Sequence, residues 1–259
     1  MAQQRTVCIG SLLAVLFIGA GTSRAEAQGF RWPEEPENIK VLPDSVTGAR
    51  LGRVMRGFAL GLGVRCTHCH VGEEGADLST FDFAADDKEE KRIARVMLEM
   101  VQAINGSHLA RLEELGRPAE GRVRVTCVTC HHGRPTPRLI EDVIGETLAT
   151  DGIEAAVAQY RELRESFFGG FAYDFSPGPL ATLGQRLALQ GKLDEAETIL
   201  QLEAELHPES YSTYFALGGI QARAGRTEEA VKSLEKALEY APEQAKGFIQ
   251  RQLSRIQAP

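Results

Sequence analysis

Cysteine is scarce in this chain, with five residues among 259. Cys8 lies in an apolar stretch near the N-terminus, and the other four form two C-x-x-C-H motifs at residues 66–70 and 127–131. Cys8 is predicted to be removed with that stretch, so no other thiol remains for a structural disulfide, although an exported protein could form one. Any chemistry of the four thiols has to take place within the two motifs.

An excess of basic residues is also lacking, since the formal net charge is -7 at pH 7. A nucleic-acid-binding protein usually presents a basic face, so this balance argues against that class. The hydrophobic share of 43% and the charged share of 25% are ordinary for a soluble globular protein. The chain is long enough to bury a real core in one or two domains.

The N-terminal apolar run, residues 7–20, is shorter than the roughly 20 residues that span a bilayer. It follows Arg5 and precedes an A-x-A-like site at residues 25–27, which is the pattern of a cleaved export signal. Residues 1–27 are therefore predicted to be a signal peptide, so that the mature protein begins near Gln28 in the periplasm. An uncleaved membrane anchor is the alternative.

The C-x-x-C-H motif is the attachment signature of a c-type haem. Two thiols three positions apart can bond both vinyl-derived arms of one porphyrin, and the following histidine lies under the iron as its proximal ligand. Two motifs thus predict two covalently bound haem c groups. A zinc site is disfavoured because the cysteine pairs are widely separated and a histidine follows each. The predicted covalent sites are Cys66, Cys69, Cys127 and Cys130, and the predicted proximal ligands are His70 and His131.

Methionine is scarce as well, and the residue in the sixth coordination position decides between electron transfer and chemistry at the iron. Met55 lies on a predicted helix that leads into the first motif, which favours it as the first iron's ligand. Met97 and Met100 share a face of a later helix, and spacing alone does not choose between them for the second iron. His108 is a rival for that position. Surface or haem-edge positions are predicted for His68 and His132, and a surface position for His207.

The spacing of apolar residues predicts an all-α protein with two domains. Helices are predicted over about Val46–Leu62 and Asp87–Asn105, each upstream of a haem motif, with Asp86 or Asp87 capping the second. A dihaem cytochrome c domain, in which a helix–turn–haem motif occurs twice, is assigned to residues 28–139. A helical repeat domain is assigned to residues 140–259.

Six positions in the second domain recur at an offset of 34 residues, which is the period of tetratricopeptide repeats. Residues 140–170 are predicted to form a degenerate earlier unit and residues 244–256 a capping helix, because a stable stack usually needs three repeats. Such stacks present concave surfaces that bind proteins, so this domain is predicted to dock a partner. The recurring pairs are Leu183 and Leu217, Gly184 and Gly218, Gly191 and Gly225, Ala196 and Ala230, Leu200 and Leu234, and Pro208 and Pro242.

Several segments of the first domain match a known family in combination. They are NIKVL at 38–42, Met55 with the motif after it, ARVMLEM at 94–100, AIN at 103–105, VTCVTCH at 125–131, and then Gly133 and Pro135. Together they resemble one two-haem half of the tetrahaem cytochrome subunit of photosynthetic reaction centres. The resemblance implies that Met55 ligates the first iron and that Met97 ligates the second.

This chain also departs from that family in ways that affect its function. It has two haem motifs rather than four, no lipobox, and a repeat domain that the photosynthetic subunit lacks. It looks more like stand-alone relatives in non-photosynthetic bacteria, so a role in photosynthesis is not implied.

The leading functional hypothesis is one-electron transfer by a carrier that is not an enzyme. Two irons with histidine and methionine ligands would pass electrons without binding substrate. The predicted partners are redox proteins, a membrane electron-transfer complex among them, docked through the repeat domain. One alternative is a dihaem peroxidase-type enzyme, which needs an open or displaceable sixth position. Another is an exported repeat scaffold with a structural or sensory haem domain.

Overall fold

The computed structural model of the protein describes residues 30–115 and 124–258, so the predicted signal peptide lies outside the described residues. The described chain is helical and contains no β-strand, with one isolated bridge between Val71 and Asp82. The predicted all-α class, a cytochrome domain followed by helical repeats, is confirmed. Within the described ranges, no helix is long and apolar enough to cross a membrane.

Four α-helices form the described part of the first domain, connected by long loops and two short 3₁₀ turns. Helices α1 and α2 both begin and end within two residues of their predicted bounds. A π turn, Ile104–His108, continues α2 directly. The helices are α1 (Gly48–Leu62), α2 (Glu89–Ala103), α3 (Arg111–Glu114) and α4 (Cys127–His131).

The predicted capping of α2 by Asp86 or Asp87 is wrong. The cap position is Lys88, whose side chain makes no capping hydrogen bond. The Asp86 carboxylate instead accepts a hydrogen bond from Lys40 at 2.7 Å and pairs with Arg95 at 2.8 Å. These cations, Arg95 first, hold the pKa of Asp86 well below its usual range. Asp86 thereby joins the extended N-terminal segment to α2 rather than completing the helix end.

The second domain is a stack of helix pairs. Helices α5 and α6 pack together, as do α7 and α8 and then α9 and α10, and α11 packs on α10. Residues of α5 and α6 share one buried core with those of α7 and α8, so residues 140–167 do form an earlier helix pair. The helices are α5 (Ile140–Asp151), α6 (Ile153–Phe167), α7 (Pro177–Leu189), α8 (Leu193–Leu206), α9 (Tyr211–Arg223), α10 (Thr227–Tyr240) and α11 (Glu243–Gln257).

Residues that recur in the sequence make the same contact in successive units. A Cβ added at Gly184 would lie 3.0 Å from Leu200, and one added at Gly218 would lie 2.8 Å from Leu234. Each glycine therefore allows the paired helix to approach closely. The turns within the two pairs contain Gly191 and Gly225, both with left-handed backbone angles, so the 34-residue offset reflects a repeated three-dimensional unit.

One buried acid in this domain has no hydrogen-bond partner. Glu203 of α8 is fully buried, and neither carboxylate oxygen has a partner among the described residues. Burial raises the pKa of Glu203 to about 7, against the opposing effect of Arg164. At neutral pH the repeat domain therefore contains a carboxyl group whose ionisation opposes folding.

We expect the free energy of unfolding to fall as pH rises from about 4.5 to about 7. In that interval the folded protein keeps a proton on Glu203 that the unfolded chain, with the ordinary pKa of 4.5, has released. The loss should amount to roughly 2–3 kcal/mol. Glu203→Gln should remove most of it, whereas Glu209→Gln, at an exposed position, should not. Urea unfolding followed by circular dichroism at several pH values measures this, and equal slopes in the two variants would contradict it.

Candidate cofactor site

The first C-x-x-C-H motif lies directly after α1. That helix ends at Gly63, which has a left-handed backbone conformation with φ of 64°. The chain then forms a 3₁₀ turn over Cys66–His68, and the backbone N–H of His70 donates to the carbonyl of Cys66 at 3.0 Å. The turn places Cys66 at the surface and leaves Cys69 and His70 half-buried.

The second motif forms the short helix α4. Thr126 and Thr129 make a capping box at its start, and the chain leaves it through His132 in the left-handed conformation. The side chain of Asn105 donates to the carbonyl of Val125 at 2.8 Å and accepts from its N–H at 2.9 Å. The end of α2 is thereby fixed beside the start of the second motif.

The end of α1 packs against α4. The backbone N–H of Gly133 donates to the carbonyl of Gly61 at 3.0 Å. A Cβ added at Gly61 would lie 3.1 Å from the Cβ of Cys127, closer than Cβ atoms usually come to their neighbours, so glycine favours this approach. The helix that leads into the first motif is therefore joined to the second motif, and the two cysteine pairs lie in one structural unit.

A single cavity of about 870 Å³ lies among these elements. Its volume is in the upper part of the usual range for ligand sites, about 300–1,000 Å³. The structure thus brings together every residue that the sequence predicts as a haem attachment point or iron ligand. The lining of the cavity includes Met55, Cys66, Cys69, His70, Met97, Met100, Cys127, Cys130 and His131.

The walls of this cavity fit a large flat apolar group. Ile93, Met97 and Met100 on α2 line it and are 48%, 40% and 46% exposed, a large fraction for apolar side chains at a helix face. No other described helix packs extensively against α2 apart from the π turn that continues it. A porphyrin between α1 and α2 would cover this face, and the cysteines and histidines are the residues that attach and ligate one.

The ring nitrogens of the two motif histidines, His70 and His131, have different surroundings. Nδ1 of His131 lies 2.9 Å from the carbonyl of Arg134, so it carries the proton and leaves the Nε2 lone pair for a metal. Nδ1 of His70 is buried without a hydrogen-bond partner in the described residues. Burial and the nearby charge of Lys91 lower the pKa of His70, which favours the neutral imidazole that binds iron.

The four thiols are free, and burial makes two of them weaker acids than an ordinary cysteine. None of them forms a disulfide. Burial raises the pKa of Cys69 and of Cys127, whereas the reactive cysteine of a thiol oxidoreductase has a lowered one. In the described chain no three His, Cys, Asp or Glu side chains gather around a point where they could hold a bare metal ion. The geometry favours covalent attachment over thiol redox catalysis.

The rival histidines lie in other places. His108 is exposed on the π turn and does not line the cavity. His68 lines the cavity beside the first motif, as expected of a haem-edge residue. His132 is exposed, and its Nδ1 lies 3.0 Å from the carbonyl of Phe171. His207 lies in the repeat domain, where its Nε2 is 3.0 Å from the carbonyl of Phe175.

Met97 and Met100 both line the cavity, so the lining does not choose between them as ligand of the second iron.

An aromatic cluster that the sequence interpretation missed surrounds His70. The ring of Phe83 meets the imidazole edge-on at 5.0 Å and stacks on Phe81 at 5.5 Å. The ring centroids of Phe30 and Trp32 lie 5.4 and 6.1 Å from that of Phe83. The N-terminal residues Phe30 and Trp32 therefore support the aromatic ring that contacts His70.

Lys91 and Asn105 are two further positioning residues that the sequence interpretation did not assign. Lys91 is nearly buried and donates to the carbonyls of Phe83, Ala84 and Ala85 at 3.0, 3.0 and 2.6 Å. It thus holds the loop that carries Phe83 over His70. One signal was available for Asn105, because asparagine is a poor residue for a helix interior and suggests a side-chain hydrogen bond to the backbone.

Comparison with known proteins identifies the family of this domain. A profile of the photosynthetic reaction centre cytochrome C subunit family matches residues 15–175, and a tetratricopeptide repeat profile matches residues 211–244. The first match extends past the predicted domain boundary at residue 139, which remains a prediction.

Two curated relatives are each 31% identical to this chain over the aligned residues. The photosynthetic reaction center cytochrome c subunit of Thermochromatium tepidum is 31% identical over 116 residues, which cover 44% of this chain and 24% of that protein. The corresponding subunit of Rubrivivax gelatinosus is 31% identical over 121 residues, which cover 46% and 28%. The chain thus spans about a quarter of the length of these relatives. It belongs to the photosynthetic reaction centre cytochrome c subunit family and carries a tetratricopeptide repeat after the family region.

Proposed function

We propose that this protein is a periplasmic dihaem c-type cytochrome that transfers single electrons, and that its helical repeats dock a redox partner. The observation that carries the proposal is the common cavity, which is lined by both cysteine pairs, both motif histidines and all three candidate methionines. An all-α domain of this family with two attachment motifs suits electron transfer better than substrate turnover, because the cavity offers a histidine and a methionine that would ligate each iron.

The residues have distinct roles in this proposal. Cys66 and Cys69 attach the first haem, with His70 as proximal ligand and Met55 as the sixth ligand. For the second haem these roles are held by Cys127 and Cys130, His131 and Met97. The iron supplies reversible one-electron reduction when the haem is bound. The apolar walls exclude water, which together with methionine ligation raises the reduction potential relative to a solvated bis-histidine site.

The periplasmic location and the docking role rest on the sequence pattern. Covalent haem attachment and an export signal at residues 1–27 are consistent with each other. Stacked helix pairs of the kind formed by α5 to α10 bind other proteins through their exposed surfaces. A membrane electron-transfer complex is one partner that such a carrier could reach from the periplasm.

Replacing the candidate methionines one at a time should identify the sixth ligands. Methionine-ligated ferric haem has a charge-transfer absorption band, and we expect each haem to contribute to it. Met55→Ala and Met97→Ala should each remove one of the two contributions, and each should lower one of the two midpoint potentials. Met100→Ala is the matched control, because Met100 lies one helical turn away on the same cavity wall. It should leave both contributions in place, as should His108→Ala. Redox-titrated absorption spectra of the exported protein measure all four variants.

Other results would lead to other conclusions. Loss of one contribution in Met100→Ala and not in Met97→Ala would reverse the assignment for the second haem. A wild-type spectrum without methionine ligation, together with turnover of hydrogen peroxide, would overturn the electron-carrier proposal in favour of a dihaem peroxidase.

A further inference from the structure

Residues 132–134, which follow the second motif, contact the helical repeat domain. The guanidinium of Arg134 lies 4.9 Å from the ring centroid of Phe167 and 5.2 Å from that of Tyr173. The two rings meet edge to face, with centroids 5.6 Å apart and planes at 84°, so they form a corner that holds the cation. Phe167 ends α6, and Tyr173 lies in the loop that leads to α7.

A second contact holds the neighbouring residue. Nδ1 of His132 lies 3.0 Å from the carbonyl of Phe171, and its Nε2 lies 2.9 Å from the carbonyl of Thr129. His132 therefore connects α4 to the same loop of the repeat domain. Residues 167–173 thus contact both His132 and Arg134. The backbone carbonyl of Arg134 in turn accepts the hydrogen bond from Nδ1 of His131.

The loop is itself anchored in the repeat core. Tyr173 lies edge-on to Phe175 at 6.2 Å, and Phe175 lies edge-on to the fully buried Tyr160 at 5.7 Å. Both Phe167 and Tyr173 pack against the main hydrophobic cluster of the repeats. A continuous set of packed side chains therefore runs from the repeat core to the Arg134 carbonyl and on to Nδ1 of His131.

The first haem site lacks this connection. Nδ1 of His70 has no hydrogen bond of good geometry among the described residues, and the backbone and ring that interact with this imidazole belong to Phe83 of the first domain, not to the repeats. A histidine whose outer N–H is held by a carbonyl is a stronger electron donor to its metal, and such donation favours the ferric state. The two proximal ligands should therefore differ in donor strength.

We propose that Phe167, Tyr173 and Arg134 form a positioning unit through which the repeat domain holds His131 and lowers the potential of the second haem relative to the first. This inference rests on the proposed function, because it assumes that His131 ligates iron. The repeat domain would then position a ligand of the second haem in addition to docking a partner.

The test compares Phe167→Leu/Tyr173→Leu with Phe171→Leu in the exported holoprotein. The double variant removes both rings around Arg134 and keeps the positions apolar. The control removes a ring from the same loop that is 84% exposed, and keeps the Phe171 carbonyl that binds His132. Redox titration of each protein gives the two potentials. The same titration in a Cys66→Ser/Cys69→Ser background shows which of the two belongs to the second haem.

We expect the double variant to raise the ratio of reduced to oxidised second haem, at a fixed potential, by about threefold to tenfold. That corresponds to a rise of about 30–60 mV for a one-electron couple. The first haem and the Phe171→Leu control should not shift. Arg134→Gln should reproduce the rise, and combining it with the double variant should add little, because both changes remove the same contact.

Equal shifts in both haems, or no shift in either the double variant or Arg134→Gln, would overturn the proposal. Circular dichroism separates this outcome from loss of the repeat fold, and Arg134→Gln provides the test if the double variant does not fold. Failure of the proposed function would appear earlier and differently, as a wild-type protein with fewer than two attached haems.

Discussion

Cys127→Ser/Cys130→Ser is expected to leave one covalent haem per chain, whereas the unaltered protein is expected to carry two. Each motif supplies the two thiols for one porphyrin, and no other cysteine in the described chain could replace them. The remaining haem should keep the ligands His70 and Met55, because α1 and the first motif are unchanged. Mass spectrometry of the denatured protein counts the attached haems, since only covalent groups remain.

The reciprocal variant makes this prediction specific. Cys66→Ser/Cys69→Ser should also leave one haem, and the two one-haem proteins should have different potentials. Two covalent haems in either double variant would contradict the assignment of the motifs. If a double variant is degraded on export, Cys130→Ser alone should keep the second haem on one thioether with a shifted absorption maximum.

Gly63→Ala is expected to reduce the free energy of unfolding by more than about 2 kcal/mol. Gly63 has a φ of 64°, where a side chain is strained, and an added Cβ would overlap the carbonyl oxygen of Gly133. That carbonyl belongs to the backbone at the end of the second motif and cannot rotate away. The substitution should therefore separate α1 from α4 and weaken the second haem site as well as the fold.

Gly57→Ala is the matched control on the same helix. No atom outside the helix backbone lies within 4 Å of a Cβ added there, and the position is exposed. Alanine in a helix interior should stabilise the protein by roughly 0.5–1 kcal/mol. Chemical unfolding of both variants measures the difference. Similar stabilities would show that the contact between Gly63 and Gly133 is not important.

Local sequence patterns were sufficient to predict much of the fold. The apolar spacing of α1 and α2 predicts their bounds because each helix has one face turned towards a single apolar space. The 34-residue offset predicts the last two helix pairs because each unit repeats the same close contact between a glycine and a leucine. The motif residues were predictable because their chemistry depends on short spacings along the chain.

Contacts between distant segments were not predictable in this way. Gly61 and Gly63 lie at the predicted end of α1, and nothing nearby in the sequence indicates that α4 packs there. Asp86 has the local features of a helix cap, but Lys40 and Arg95 compete for its carboxylate in the folded protein. The packing of Arg134 on Phe167 and Tyr173 joins residues more than 30 positions apart and leaves no local pattern.

The central claim is that one cavity holds two haems which each carry one electron. An equilibrium redox titration of the purified exported protein, with the electrons taken up per chain counted, tests it most directly. The proposal predicts two one-electron steps at different potentials, both with the spectrum of six-coordinate c-type haem. A single one-electron step, or no reversible uptake, would contradict it.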